Sequence, residues 1–350
     1  MTAPTEQPAP SSATPSAPWL RRQLAQLLAQ RGHAWLLQGP SGLGQYELGL
    51  ALAQAWLCGQ PTPDGACGQC GSCHLVASRG HPDLVVLMPE TVLLALGWPL
   101  SESAQKDIDD KKRKPSKEIR VDAMRSTVEF AQRTSARGRG TVVLVYPAER
   151  MNTITANALL KTLEEPPGDT RFVLASDAAH QLLPTIRSRC QTHTLLWPDA
   201  TEAQAWLAGQ GVAAGDATTW LRAAGGRPAD ALALARSGRS AAAWGALPKA
   251  MARGEVAALA DLAPPQVLDA LHKLCHDALA CKMGAPPRFF AAADLPGALL
   301  ARTSVASLTR WSRALAQAAR TVEHPFNPGL MLESLVNEAR LALNSEPSRP

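Results

Sequence analysis

Four short runs along the chain, residues 34–37, 83–88, 141–145 and 171–175, are apolar almost without interruption. A strand with one wet face alternates, whereas a strand covered by helices on both faces does not, so these runs predict buried strands of a parallel sheet. The text between them carries the other period. Residues 19–31 space Leu20, Leu24, Leu27 and Leu28 like one face of a helix, and residues 46–58 place Leu48, Leu50, Leu52, Ala55 and Trp56 to pack a helix against a sheet. Residues 119–136 and 152–163 supply two more helices. Residues 18–198 therefore read as an α/β domain.

Beyond Trp197-Pro198-Asp199 the pattern changes. Ala- and Leu-rich helical text continues to Asn344, broken by Gly and Pro at 225–228, 264–265, 284–287 and 325–329, with no comparable strand and no convincing repeat. An all-helical region is expected there. Two segments follow neither period. Residues 1–17, rich in Pro, Ser, Thr and Ala, read as a disordered leader. Residues 89–117, which end SESAQKDIDDKKRKPSK, read as a flexible surface insertion.

Composition narrows the class without choosing a function. A chain of 350 residues can bury two or three cores, and 46% hydrophobic with 19% charged residues suits a soluble globular protein. No run approaches the roughly 18–20 apolar residues that a bilayer span needs, and the N-terminus has neither a basic start nor an apolar signal core. A cytoplasmic protein is expected, with no membrane partner. The formal charge of +5, with a pI near 8.9, is too mild to mark a nucleic-acid binder.

The cysteines do change the picture. Cys58, Cys67, Cys70 and Cys73 lie within CGQPTPDGACGQCGSC, spaced C-x8-C-x2-C-x2-C, while only three others are spread over the rest of the chain. Pairs two residues apart turn their sulfurs onto one point, and four thiolates complete a tetrahedral zinc shell. A full shell leaves no position for water or substrate, so a structural zinc is expected in residues 58–73. His74 and His81 are not needed as ligands, and Cys190, Cys275 and Cys281 read as ordinary thiols.

A second motif lies upstream. QGPSGLGQ at 38–45 follows a predicted strand and opens a predicted helix, as a phosphate-binding loop does. Gly39 and Gly44 keep the frame of G-x-x-x-x-G-K-[ST], but Gln45 replaces the lysine that reaches phosphate and Tyr46 the short hydroxyl that holds magnesium. The strand at 141–145 is followed by Tyr146-Pro147-Ala148-Glu149, so no acid stands at its end to hold magnesium or orient water. Glu149 reads as a solvated glutamate at a helix start. No bound ATP is expected.

These features, with NALLKTLEEPP at 157–167 and SRC at 188–190, resemble the AAA+ subunits of the bacterial DNA polymerase III clamp loader over residues 19–198. In that family the gamma/tau motors keep an intact loop and acidic strand end, and the delta-prime branch often does not, so the resemblance implies delta-prime. Alignment on NALLK sets Tyr146 and Pro147 where the motors carry Asp and Glu. Gly226-Arg227-Pro228-Ala229 puts alanine at the motors' nucleotide-contacting arginine. The resemblance also implies a helical lid at 199–240 and an oligomerising helical collar at 241–345. It makes Arg189 an arginine finger, projecting into a neighbouring subunit's ATP site. Lys161, Glu164 and Glu165 are weaker candidates for the same surface; a salt bridge at a helix end is the plainer role for Arg189 taken alone.

The implied partners are gamma/tau and delta in a hetero-oligomeric ring, with the sliding clamp and primed DNA reached through the complex. The chain would turn over nothing itself, although the holoenzyme is a DNA-directed DNA polymerase, a nucleotidyltransferase. Two other readings are an active motor with an unusual loop, and a zinc-dependent DNA-binding module contacting phosphates through Lys111-Lys112-Arg113-Lys114.

Overall fold

The computed structural model describes residues 17–295, 297–322 and 327–345, so residues 1–16 of the expected leader lie outside the described residues. The described chain divides into two compact units, with the division between Pro198 and Asp199.

The first unit is built in the order α1 (Pro18–Leu28), β1 (Ala34–Gln38), α2 (Gln45–Leu57), α3 (Gly71–Ala77), β2 (Leu84–Leu87), α4 (Glu90–Ala95), α5 (Glu102–Asp109), α6 (Val121–Ala131), β3 (Thr141–Val145), α7 (Thr153–Glu164), β4 (Thr170–Ser176), α8 (Pro184–Arg187) and β5 (Gln191–Thr194). All five strands are parallel, in the order β2-β3-β4-β1-β5. This is the expected α/β parallel sheet of the P-loop type. The four apolar runs became its four covered strands: β3 is buried at every position and β4 at all but one. The fifth strand, β5, has the sequence QTHT and lies mostly exposed at the sheet edge beside β1. With no apolar run, it carried no period for the sequence to reveal.

Helices cover both faces. Met124, Leu159 and Leu163 pack with Leu36, Val143, Val145, Phe172 and Leu174 in one core. On the other face α2 approaches the sheet so closely that a Cβ on Gly49 would stand 2.8 Å from Leu144 Cδ1 and 3.2 Å from Val173 Cγ1. Parallel strands that all end on one side gather their following loops there, and the glycine loop after β1 and the turns after β3 and β4 meet at that rim.

The insertion is more structured than its sequence suggests. Residues 89–117 contain α4 and α5, and Glu90, only 8% exposed, anchors the return of the chain. Arg113 donates to both Glu90 oxygens at 2.5 and 2.8 Å, and the Ser116 N–H adds a third bond at 2.8 Å. Trp98, 7% exposed, reaches back to the glycine-loop helix. The pairing acid and base lie 23 residues apart, beyond any helical spacing, which is why local pattern did not show it.

The second unit consists, among its described residues, of eight helices: α9 (Ala200–Gly209), α10 (Ala214–Ala223), α11 (Pro228–Arg236), α12 (Ala241–Arg253), α13 (Pro264–Lys282), α14 (Gly297–Ala301), α15 (Val305–Thr321) and α16 (Pro328–Leu343). One core joins Leu207, Trp220, Trp244, Leu271, Phe290, Trp311 and Leu335. Asp277 is fully buried and accepts the N–H groups of Arg288, Phe289 and Phe290 at 2.7–2.9 Å, tying the segment after α13 back to that helix.

Arg113 holds the Glu90 carboxyl below the ordinary glutamate range by donating hydrogen bonds to it. A carboxyl depressed by folding stabilises the fold above its unfolded value, about 4.3, and that contribution is lost as pH falls through the lower folded value. Arg113→Ala, which removes both guanidinium bonds to Glu90 and leaves only Arg120 at 3.9 Å, is expected to lower stability in denaturant unfolding at neutral pH. The deficit relative to the unsubstituted chain should shrink toward about pH 3.

Candidate functional site: a closed phosphate loop, a four-thiol module and an outward arginine

The glycine loop has the backbone of a phosphate cradle and the side chains of a plug. Gly42 and Gly44 adopt left-handed φ of 80° and 103°, and α2 begins at the next residue, as an anion-binding helix start requires. A side chain at Gly44 would also strike Leu20 Cδ1 at 2.6 Å. Gln45, however, is only 2% exposed, and its Nε2 donates to the carbonyls of Gly39 at 2.6 Å and Pro40 at 2.8 Å. The carboxamide thus ties the loop to itself. A lysine in a working loop points its ammonium toward phosphate instead.

The magnesium position is equally changed. The Tyr46 ring lies 5.5 Å from the Tyr146 ring, centroid to centroid. The hydroxyl position of the loop and the end of β3, which in a P-loop enzyme share a metal ion, here share an aromatic contact. Trp98 Nε1 donates to the Tyr46 hydroxyl at 2.7 Å, and the Tyr146 hydroxyl donates to Asp177 Oδ2 at 3.3 Å. Burial pushes the Tyr46 phenol up, and burial together with the Asp177 charge pushes Tyr146 further up, so both rings stay neutral. Trp98 and Asp177 were not recognisable from sequence, because residues 46, 98, 146 and 177 converge only through the fold.

Glu149 is not the solvated glutamate expected. It accepts from Ser176 Oγ at 2.7 Å and from the Asp177 N–H at 3.3 Å, joining the turn after β3 to the end of β4. Its oxygens are occupied in bracing the rim.

The four predicted cysteines do converge. Their sulfurs are separated by 3.5 Å (Cys58–Cys67), 3.8 Å (Cys58–Cys70), 3.7 Å (Cys58–Cys73), 3.9 Å (Cys67–Cys73) and 3.5 Å (Cys70–Cys73). A tetrahedron with metal–sulfur bonds of about 2.3 Å has edges of about 3.8 Å, so the set fits a metal ion. Backbone N–H groups of Gly59, Gln60 and Cys67 point at these sulfurs within 3.3–3.4 Å, which favours thiolates. The module is tied into the first unit at two points. Gln54 on α2 donates to the Cys73 carbonyl at 3.4 Å, and Arg137 Nε donates to Ser72 Oγ at 2.9 Å. The backbone of Arg137 is in turn held by the buried Asp83 at the start of the β2 segment. His81 takes no part in the cluster; its Nδ1 accepts the Asp83 N–H.

Arg189 stands between two anchored neighbours. Ile186 is fully buried, and Cys190 packs against the same core, its thiol pushed up to about 12 by burial. The guanidinium projects outward and contacts Glu164 Oε2 through Nε at 3.0 Å and Nη2 at 2.8 Å, while Nη1 donates to the Thr185 carbonyl at 3.1 Å. The plain salt bridge at a helix end is therefore present. On α7, Leu159 and Leu163 are fully buried, Leu160 packs partly buried against the same core, and Lys161, Glu164 and Glu165 are exposed. In the second unit Arg227 is bound locally, to the Ala224 carbonyl at 2.8 Å and Asp230 at 3.0 Å, and Ala229 lies two residues after Arg227.

A parallel sheet and a glycine loop between β1 and a helix, with Gln45 and Tyr46 where the motif has lysine and a short hydroxyl, define a P-loop-type protein. The chain belongs to the family described as "DNA polymerase III, delta subunit", whose model matches residues 19–198. It is 42% identical over 193 residues to the DNA polymerase III subunit delta' of Pseudomonas aeruginosa, covering 55% of this chain and 52% of that protein. It is 37% identical over 223 residues to the same subunit of Escherichia coli K12, covering 62% and 60%. A gamma/tau subunit from Mycobacterium bovis is 30% identical over 208 residues, covering 58% and 32%. The chain thus spans about half the length of the curated relatives it matches. Among solved structures, a gamma subunit-related protein of Thermotoga maritima is similar with a TM-score of 0.46 at 16% identity, covering 93% of this chain and 99% of that one.

The thiols should separate chemically in chelator-treated protein. Burial raises the Cys70 thiol, but the N–H groups of Cys73 and Gly59 outweigh it and bring the group down to about 6, whereas burial alone lifts Cys190 and Cys275 to about 12. Since the thiolate is the nucleophile, iodoacetamide at about pH 7.5 is expected to label Cys70 well before Cys190 or Cys275. Peptide mass mapping against time reads the order; equal rates at Cys70 and Cys190 would contradict it.

Proposed function

We propose that this chain is a non-hydrolysing delta-prime-type subunit of the replicative clamp loader, which assembles with gamma/tau motor subunits and delta to load the sliding clamp onto primed DNA. The observation that carries the reading is one contrast within the first unit. Gln45, Tyr46 and Tyr146 close the chain's own phosphate loop, while the Arg189 guanidinium lies at the surface, paired with Glu164 through Nε and Nη2. A permanently charged, planar donor suits phosphate in a neighbouring subunit, which supports reading Arg189 as the finger in trans. The second unit carries the lid (199–240) and the oligomerising collar (241–345). Cys58, Cys67, Cys70 and Cys73 hold a structural zinc that staples the segment between α2 and α3. The subunit binds no ATP, catalyses nothing alone and works in the cytoplasm as part of a DNA polymerase holoenzyme.

Two observations weigh against the other readings. The plugged loop argues against an active motor. Within the basic run 111–114, Arg113 is committed to Glu90 and Asp107 and Lys112 to Asp110, which argues against a phosphate-binding tract.

Reconstitution tests the proposal. Arg189→Ala, assembled with motor subunits and delta, is expected to lower DNA-dependent ATP hydrolysis by about tenfold, and unchanged hydrolysis would end the trans role. Calorimetric titration of the isolated chain with ATP and magnesium should give no binding heat. Metal analysis should find about one zinc per chain, and Cys73→Ser should lose it together with thermal stability.

A further inference from the structure

The surroundings of Arg189 contain a feature that stability does not explain. Glu164 is the last residue of α7, and Glu165 follows it directly. A helix C-terminus carries the negative end of the macrodipole, so acids there are electrostatically misplaced unless a cation answers them. Glu164 is 60% exposed in its side chain, and pairs at such exposure add little to folding. Its geometry is nevertheless specific. One oxygen, Oε2, takes both Nε and Nη2 of Arg189, and the Thr185 carbonyl in the short α8 takes Nη1.

A guanidinium has five N–H donors. With these three committed, one N–H remains on each terminal nitrogen, and two parallel donors are what bridging a pair of phosphate oxygens requires. The backbone behind the side chain is fixed by buried Ile186 and by Cys190 packed on the same core.

From this geometry, and resting on the trans role of Arg189 proposed above, we infer that Glu164 is a positioning residue: it holds one edge of the Arg189 guanidinium so that the other meets the neighbour's nucleotide phosphate already oriented. Thr185 contributes through its backbone carbonyl and is indifferent to its side chain. Orientation acts on the reacting complex and not on nucleotide capture by the neighbour, so loss of Glu164 lowers kcat and leaves KM for ATP in place.

The test is a double-mutant cycle in the reconstituted assembly, with DNA-dependent ATP hydrolysis measured over a range of ATP concentrations. Glu164→Ala is expected to lower kcat by about three- to tenfold with unchanged KM. Glu164→Gln, which keeps an acceptor oxygen, should recover part of the loss. In an Arg189→Ala background Glu164→Ala should have no further effect, because a residue acting through another is silent once that other is gone. If Arg189→Ala alone changes nothing, the trans role itself fails. If Arg189→Ala is defective but Glu164→Ala is not, or if the Glu164→Ala defect persists in the Arg189→Ala background, the positioning role fails and the trans role stands. Thermal melts of each isolated variant should match the unsubstituted chain; a melt lowered in step with kcat would assign the defect to folding and overturn the inference.

Discussion

Two hydrogen bonds from one carboxamide govern this molecule. Gln45 Nε2 satisfies the carbonyls of Gly39 and Pro40 from inside the glycine loop, where a working loop would leave space for phosphate. Buried polar groups need partners, and here the chain supplies its own. The loop is thereby closed by its own side chain. Tyr46 and Tyr146 can then approach each other across the place where a metal would have kept them apart, and Glu149 can turn its carboxylate to the end of β4. The insertion completes the change, since Trp98 binds Tyr46 and Glu90 with Arg113 holds the chain that carries Trp98.

The parts of this arrangement that are local in sequence were legible. Continuous apolar runs marked four of the five strands, because covered strands need no polar alternation, and two-residue cysteine spacing marked the thiol cluster. The missing lysine and the missing strand-end acid are read directly from residues 45 and 146. What could not be read depends on distant pairing. β5 carries polar residues because its faces are mostly exposed, and residues 89–117 fold through Glu90–Arg113 and Trp98–Tyr46 contacts that no periodicity encodes. Glu149 was misread for the same reason: an acid at the start of a helical turn is ordinarily solvated, and its partners Ser176 and Asp177 lie 27 and 28 residues on.

The four-thiol cluster, which could hold a metal ion, is linked to the sheet through side chains outside it. Ser72 follows the Cys70–Gly71 turn and receives Arg137, whose backbone N–H binds the carboxylate of Asp83. Asp83 also takes Ser135 Oγ and the Ala136 N–H, so one buried acid collects the segment between α6 and β3. Folding of the four-cysteine segment and ordering of the sheet's lower edge are thereby mechanically joined.

The Tyr46–Tyr146 contact has a corollary for substitution at the loop. A lysine at 45 would replace the carboxamide that now binds the Gly39 and Pro40 carbonyls from inside the loop. Restoring a hydroxyl at 46 would deprive Trp98 of its acceptor and open a hole beside Tyr146. Restoring an acid at 146 would set a carboxylate near Asp177 with no metal to share. Each of these side chains is held by a partner elsewhere in the first unit, so exchanging any one of them alone disturbs contacts that the others make.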